Sequence, residues 1–479
     1  MDYEPVIGLE VHAQLLTSSK MFCTCSADYA GAPPNTHVCP VCLGMPGVLP
    51  VANQKAIEYT VMTALALNCQ IPEFSKFDRK NYPYPDLVKG YQISQYDMPL
   101  SHDGWMSVEL DGETTRIGII RVHLEEDTSK LTHVTDESGR SYSLVDVNRS
   151  GVPLMEIVSA PDIHSPAEAR AYLIKLRAIL QALGVSTGNM EEGSFRCDAN
   201  VSIRPVGSDK LGTKTEVKNM NSFRSVQRAL EYEIKRQSAI LEQGGRIVQE
   251  TRGWVDEKGI TVGQRSKEFA HDYRYFPEPD LPPLVLSREW VEGIRARLPE
   301  LPDARRERFM EQFGLSRYDA VQLTASRPTA EFFEKAVGLY PQPKAVANWM
   351  QSELFRLLKD SEGDVSGTKV TPEMLVELLG LMDRGTINAR TGKEVFEEMF
   401  NTGKGAASIV KERGLSQISD TSHLEVVVDG VIKNNPQAVA DYHAGKANAM
   451  GFLVGQVMKL TRGQANPGVV NQILRERLG

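Results

Sequence analysis

Two stretches of strict alternation place the strongest limit on how this chain can fold. In VIGLEVHAQL (Val6 to Leu15), Ile7, Leu9, Val11, Ala13 and Leu15 oppose Gly8, Glu10, His12 and Gln14. In SFRCDANVSIR (Ser194 to Arg204), Phe195, Cys197, Ala199, Val201 and Ile203 oppose Ser194, Arg196, Asp198, Asn200, Ser202 and Arg204. Period two sends successive side chains to opposite faces of a strand. Both segments therefore read as half-buried strands of an antiparallel sheet with one face on a core. RVHLEED places Arg121, His123 and Glu125 on one face, and TKTEVKN does the same for Lys214, Glu216 and Lys218.

One polar face alone is read most simply as the wet side of a sheet. Four of them, carrying Glu/His, His/Glu, Arg/Asp/Asn and Lys/Glu/Lys, have a composition suited to a divalent ion and a polyphosphate. Mg²⁺ takes carboxylates and shares substrate phosphates, and Arg and Lys stabilise charge on a transferring phosphoryl group. His12 is an unusual ligand for a hard ion and could instead hold water or phosphate.

The strands extend to about residue 290. Asp111-Gly112 between two extended runs signals a hairpin, and a second hairpin turns near Ser138-Gly139. Two helices interrupt the strands. The first opens on Ser165, Pro166 and Glu168, carries Tyr172, Leu173, Leu176, Ile179, Leu180 and Leu183 as its apolar stripe, and closes at Gly184. The second runs from about Ser222 to Gln243 with Phe223, Val226, Leu230 and Ile234 inward. A proline-dense exit, HDYRYFPEPDLPPL (His271 to Leu284), follows. Beyond it the periodicity is helical, in DARRERFMEQFG, PKAVANWMQSELFRLL, TPEMLVELLGLMDRG and GKEVFEEMF. A last boundary falls near residue 408. A chain of 479 residues holds about three domains, set here at 1–293, 294–407 and 408–479.

The cysteines add a second site. Cys23, Cys25, Cys39 and Cys42 form C-x-C and C-x₂-C pairs joined by a Gly/Pro-rich loop, which suits a closed, structural Cys₄ zinc knuckle. Four unligated thiols are the alternative. Cys69 and Cys197 read as core thiols. GSDKLGTK has P-loop glycine spacing but no Lys after Gly212, so any ATP would bind on a sheet. RKNYPYPDLVKGYQISQYDMPL (Arg79 to Leu100) interleaves tyrosines with lysines, which suits stacking on an unpaired nucleotide beside a phosphate; a loop packed on the sheet is the alternative. A C-terminal helix through Leu453, Val454, Val457 and Met458, a turn at Gly463 to Pro467 and a last helix bring Lys459, Arg462, Arg475 and Arg477. These suit a phosphate backbone or a solvated helix face. The net charge of −8 excludes a simple basic nucleic-acid binder. With neither a basic leader nor a membrane-length apolar run, the chain reads as cytoplasmic.

VIGLEVHAQL, CPVCLGMPGVLPV, YQISQYD, VHLEEDT, DVNRSGVPLMEIVS, GSFRCDANVSIR, TEVKNMNSF and DYRYFPEPDLPPL together resemble the GatB family, the B subunits of glutamyl/aspartyl-tRNA amidotransferases. The resemblance runs through the whole chain. It implies an α+β fold: an antiparallel β-sheet cradle domain, an all-α helical domain and a small α-helical tail domain. It also implies ATP-dependent phosphorylation of the side-chain carboxylate of Glu-tRNA(Gln) or Asp-tRNA(Asn), with ammonia from a glutaminase A subunit and a small C subunit clasping the heterotrimer. The acceptor end of the misacylated tRNA would lie at the cradle and its body at the tail. Carried over residue by residue, Glu10, His12, Glu125 and Glu216 match positions associated with catalysis and Mg²⁺. Arg149, Asp198, Asn200 and Lys218 match ATP or aminoacyl contacts, and the four cysteines match the zinc element. Pro83 and Val88 depart from the family pattern of an aromatic and a proline, which leaves the acceptor-end contacts open. A non-catalytic tRNA scaffold is disfavoured because bare carboxylates repel an RNA backbone. The related archaeal-type E subunit is disfavoured because this chain has no room for its inserted domain.

Overall fold

The computed structural model describes residues 3–264, 273–360, 365–415, 421–446, 448–461 and 465–479. His271, Asp272, Arg462 and Gly463, named above, lie outside them. The chain divides into two units, Met1–Pro302 and Asp303–Gly479.

In the first unit the elements run β1 (Tyr3–Gln14), α1 (Gln54–Ala66), β2 (Phe74–Ser75), β3 (Asp78–Asn81), β4 (Tyr91–Ser94), β5 (Ser101–Leu110) and β6 (Glu113–Glu126). There follow β7 (Lys130–Thr135), β8 (Ser141–Asp146), β9 (Pro153–Ser159), α2 (Pro166–Leu183), β10 (Phe195–Pro205), β11 (Thr215–Met220) and α3 (Phe223–Glu242). The unit closes with β12 (Glu250–Val255), β13 (Ile260–Gly263), β14 (Phe276–Pro277), β15 (Leu284–Val285) and α4 (Arg288–Arg295). An eight-stranded sheet has the order β13-β12-β11-β10-β1-β9-β6-β5. Both alternating strands thus lie side by side near its centre.

The apolar half of each alternation is the core. Ile7, Leu9, Val11, Ala13, Phe195, Ala199 and Val201 have no exposed surface. Helices α1, α2 and α3 pack on the strands and join them in one cluster through Val61, Leu173, Leu176, Val226 and Leu230. Each such fully buried aliphatic side chain stabilises the fold by about 1.5–3 kcal/mol before entropy is counted. Glu10, His12, Gln14, Arg196, Asp198 and Asn200 on the opposite face are only half-buried.

The local signals act as their chemistry requires. Asp111 and Gly112 both have positive φ, 53° and 86°, and form the two-residue connection of β5 to β6, the backbone a type I′ turn needs. Ser165 caps α2 by accepting the Glu168 N–H, and Gly184 ends it at φ 68°. The Glu168 carboxylate reaches the His164 N–H at 2.8 Å.

In the first unit three expectations change. The sheet is mixed rather than purely antiparallel: β11 and β12 pair parallel, because α3 carries the chain back between them. A third helix, α1, precedes the two expected; Asn53 caps it through the N–H groups of Lys55 and Ala56. The inward face of α3 also includes Glu233 and Gln237, while Phe223 and Ile234 are only half-buried. Glu233 is held there by Arg252 at 3.1 Å and Arg236 at 2.8 Å.

The second unit is helical and holds two separate apolar clusters. One runs from Phe309 to Val410 and the other from Leu424 to Leu478. Helix Ala406–Arg413 contributes Ala406, Ile409 and Val410 to the first. PKAVANWMQSELFRLL is not one continuous α-helix: a wide π-turn at Met350–Leu354 interrupts it. That turn carries the buried Glu353, which pairs with Lys393 at 2.6 Å.

Gly104 on β5 lies where a Cβ would stand 2.3 Å from Cys69 Sγ and 2.7 Å from Leu67 O. Backbone on one side leaves no room for adjustment. Gly104→Ala is expected to destabilise the first unit by about 1–3 kcal/mol, seen as an earlier urea transition; an unmoved transition contradicts the close approach.

Candidate active site and cysteine centre

The polar face of the sheet is organised by register. His12 of β1 faces Glu156 of β9 on one side and Arg196 of β10 on the other, and His123 of β6 faces Glu156. Four strands therefore present His123, Glu156, His12 and Arg196 in one transverse row. One row along, Glu10 faces Asp198, and beyond it Gly8, Asn200 and Glu216 line up.

Distances sort these residues into two groups. His12 Nε2 is 3.2 Å from Glu156 Oε2 and 3.5 Å from Glu125 Oε1. One ligand atom from each of His12, Glu125 and Glu156 lies within 4.8 Å of the others. Ser94 Oγ donates to Glu125 at 3.3 Å. In the second group Asn200 Nδ2 donates to Glu10 Oε1 at 2.9 Å. Lys218 bonds Asp198 and stands 2.8 Å from Glu216 Oε1, and Thr251 donates to Glu216 Oε2 at 2.7 Å. Arg149 turns to the backbone instead. Its Nε reaches Thr128 O at 2.8 Å and its Nη2 reaches Ser129 O at 2.9 Å. With Arg196 it brackets the buried Asp127 carboxylate.

Protonation follows from burial and charge. Burial pushes the His12 imidazole down, but the Glu156 hydrogen bond and the charges of Glu156, Glu125 and Asp198 outweigh it and carry it up to about 9. Burial and the Glu156 charge raise the Glu125 carboxyl; burial and Glu156 also raise Glu10. Burial works against the Glu156 carboxylate, yet His123 and His12 hold it well below the usual range. Burial drives His123 down to about 4, so it is neutral at pH 7. The group thus keeps a proton on His12 to balance two carboxylates. A divalent cation there would replace that proton and relieve the carboxylate repulsion. The donor set of two carboxylates and one imidazole fits such an ion.

Glu156 went unnoticed in the sequence. Its signal was present in PLMEIV, where one charge interrupts an apolar strand that must therefore give that charge a partner. The tyrosine segment also has a component from far along the chain. Tyr273 and Tyr82 take Lys80 Nζ over their rings at 5.0 and 5.8 Å, and Tyr275 stacks on Tyr96 at 4.3 Å. Tyr84 and Val88 are exposed.

The four cysteines form the second cluster. Their sulfurs lie within 4.8 Å of one another, and Cys42 Sγ accepts the Cys39 N–H at 3.0 Å. The Cys23 hydrogen bond, against the cost of burial, lowers the Cys42 thiol, while Cys23 itself is raised. Four sulfurs this close together are a donor set that fits Zn²⁺.

Mn²⁺ is a usable probe of a hard-ion site. Glu156→Gln keeps the side-chain shape and removes one charge, so Mn²⁺ affinity of the full chain is expected to fall by more than about tenfold, a charged ligand being worth over about 1.4 kcal/mol. Unchanged Mn²⁺ affinity contradicts the grouping of His12, Glu125 and Glu156.

Comparison with known proteins agrees with this architecture. Residues 5–292 match the GatB/GatE catalytic domain and residues 331–478 the GatB domain. The B subunit of the aspartyl/glutamyl-tRNA(Asn/Gln) amidotransferase of Carboxydothermus hydrogenoformans is 60% identical over 100% of this chain and 99% of its own length. That of Moorella thermoacetica is 60% identical over 100% of both, and that of Thermodesulfovibrio yellowstonii 58% identical over 99% of both. An acid-and-imidazole sheet face, a four-cysteine loop and end-to-end similarity of this degree have one explanation: the chain belongs to the GatB family of aspartyl/glutamyl-tRNA amidotransferase subunits.

Proposed function

We propose that this protein activates the side-chain carboxylate of Glu-tRNA(Gln), Asp-tRNA(Asn) or both by ATP-dependent phosphorylation, and that the activated carboxylate is then amidated. The observation that carries the reading is the His12–Glu125–Glu156 group on the polar face of the sheet, next to the Lys218, Asp198 and Glu216 cluster. A carboxylate is a poor electrophile for ammonia. Its oxygen attacks the γ-phosphorus of ATP, the bond from that phosphorus to the β–γ bridging oxygen breaks, and ADP leaves. The nitrogen lone pair of ammonia then attacks the acyl carbon, the bond from that carbon to the phosphate oxygen breaks, and the departing phosphate takes up the proton that nitrogen sheds.

The protein supplies position and charge rather than covalent chemistry. Mg²⁺ held by His12, Glu125 and Glu156 would neutralise charge on the phosphates. Glu10, kept in place by Asn200, extends the acidic floor towards Asp198. Lys218 lends its ammonium to the transferring group and returns to Asp198 and Glu216. Arg149 positions the Asp127 segment that follows Glu125. Lys80 within its tyrosines, and the Tyr96–Tyr275 stack, receive the terminal nucleotide. The four cysteines would hold a structural Zn²⁺.

Ammonia comes from a glutaminase A subunit, and a C subunit completes the heterotrimer. The cradle domain, carried to 302 so that α4 stays whole, receives the acceptor end; the helical domain, which keeps helix Ala406–Arg413, leads to a tail domain on the tRNA body. Among the described residues no helix is long and apolar enough to cross a membrane, in keeping with work in the cytoplasm.

Reconstituted with its A and C partners, the chain is expected to hydrolyse ATP only with Glu-tRNA(Gln) or Asp-tRNA(Asn) present. Glu125→Ala should lower that turnover at least about 100-fold, the scale of losing one preorganised charge at the reacting group. Turnover indifferent to the mutation removes the site from the sheet face, and none that depends on tRNA favours a scaffold.

A further inference from the structure

Lys20 sits three residues before Cys23 and is 1% exposed. An ammonium taken out of water costs several kcal/mol unless an anion compensates it. Its hydrogen bonds nevertheless go to neutral carbonyls, from Nζ to His37 O at 2.8 Å and to Val147 O at 3.3 Å. A Cβ placed on Gly151 would lie 3.4 Å from Lys20 Cδ, 3.8 Å from Cys42 Cβ and 3.8 Å from Glu126 Oε2, so the three side chains converge there. Glu126 is already engaged, by Lys89 and by the Ile93 N–H at 3.0 Å. The backbone N–H of Lys20 donates to Cys25 O at 2.9 Å, which fixes the lysine against the cysteine loop. Zinc with four thiolates carries two surplus negative charges, and a cation at this place is the counterpart such a centre requires.

We propose that Lys20 is the charge partner of the four-cysteine centre, offsetting the negative charge of its thiolates and tying their loop, through the His37 carbonyl, to the chain at Val147. The inference rests on reading the cysteines as a zinc site. It accounts for a lysine buried without a carboxylate within ion-pair distance among the described residues. It also gives the cysteine centre a mechanical link: the Val147 segment leads directly into β9 and Glu156.

Zinc retention is the readout, since it needs no substrate and no partner protein. The full chain is loaded with Zn²⁺ and titrated with a chromogenic chelator, as wild type, Lys20→Gln and Lys20→Arg. Glutamine keeps hydrogen-bond donors and removes the charge; arginine keeps the charge. Lys20→Gln is expected to bind zinc at least about tenfold more weakly, the usual effect of losing a group that supports metal ligands, with Lys20→Arg within about threefold of wild type. Charge-transfer bands of the Co²⁺-loaded chains should show four sulfur ligands in each. Wild-type affinity in Lys20→Gln overturns the proposal, as does equal weakening in both variants, which would mean that shape and not charge matters. If Lys20→Gln does not fold, Lys20→Arg decides alone, and weak zinc there overturns it. A wild-type chain that takes up no zinc refutes the cysteine reading itself, a result visible without any variant.

Discussion

The buried charge of Glu156 is the constraint on which the rest of the sheet depends. A carboxylate in a central strand with so little access to water survives only if cations and hydrogen bonds surround it. The register of β9 and β1 supplies the cation by placing His12 opposite Glu156, at 3.2 Å, while His123 of β6, neutral at pH 7, flanks its other side. A slip of one residue would turn Glu156, His12 and Glu125 into the core and send Val11, Ile157 and Leu124 to water. Register, core and polar floor are therefore one arrangement. Helices α1, α2 and α3 cover one face, and the other carries these buried and half-buried polar groups.

On the polar face cations and carboxylates are already paired with one another. Lys218 has Asp198 and Glu216, Arg196 has Asp127, and His12 has Glu156 and Glu125. Such pairing fixes side chains in place, and preorganisation of this kind is what the proposed phosphoryl transfer would ask of a protein. The cysteine loop is attached to the same structure. Asn35 accepts the Val147 N–H at 2.8 Å and donates to Val145 O at 3.2 Å, and the His37 N–H reaches Asn148 Oδ1 at 2.7 Å. A centre that looks peripheral in sequence thus anchors the chain just ahead of Arg149 and β9.

Much of this was legible in the residues because the signals were local. Period two gave β1 and β10 with both faces correctly divided, Asp111-Gly112 gave the β5–β6 hairpin, and Ser165 with Gly184 gave the limits of α2. What escaped depended on contacts distant in the chain. Nothing within TEVKNM and ETRGWV says that these strands pair parallel; the crossover by α3 decides it. Glu233 lies on the core side of α3 because Arg252, nineteen residues later, meets it. Tyr273 and Tyr275 join Lys80 and Tyr96 only once the fold closes. Glu156 was hidden by its apolar neighbours, and the motif-bearing Arg149 is committed to Thr128 and Ser129 in a way its sequence context does not reveal.

The central claim is that the substrate carboxylate becomes an acyl phosphate before nitrogen is added. Isotope transfer tests it most directly. Aminoacyl-tRNA carrying ¹⁸O in the side-chain carboxylate is turned over by the complete complex with unlabelled ATP, and the released phosphate is analysed by mass. The account predicts one ¹⁸O in each phosphate formed with an amide, because the carbon–oxygen bond breaks on the side of the label. Phosphate free of ¹⁸O would contradict it, since ATP cleavage would then not pass through the carboxylate.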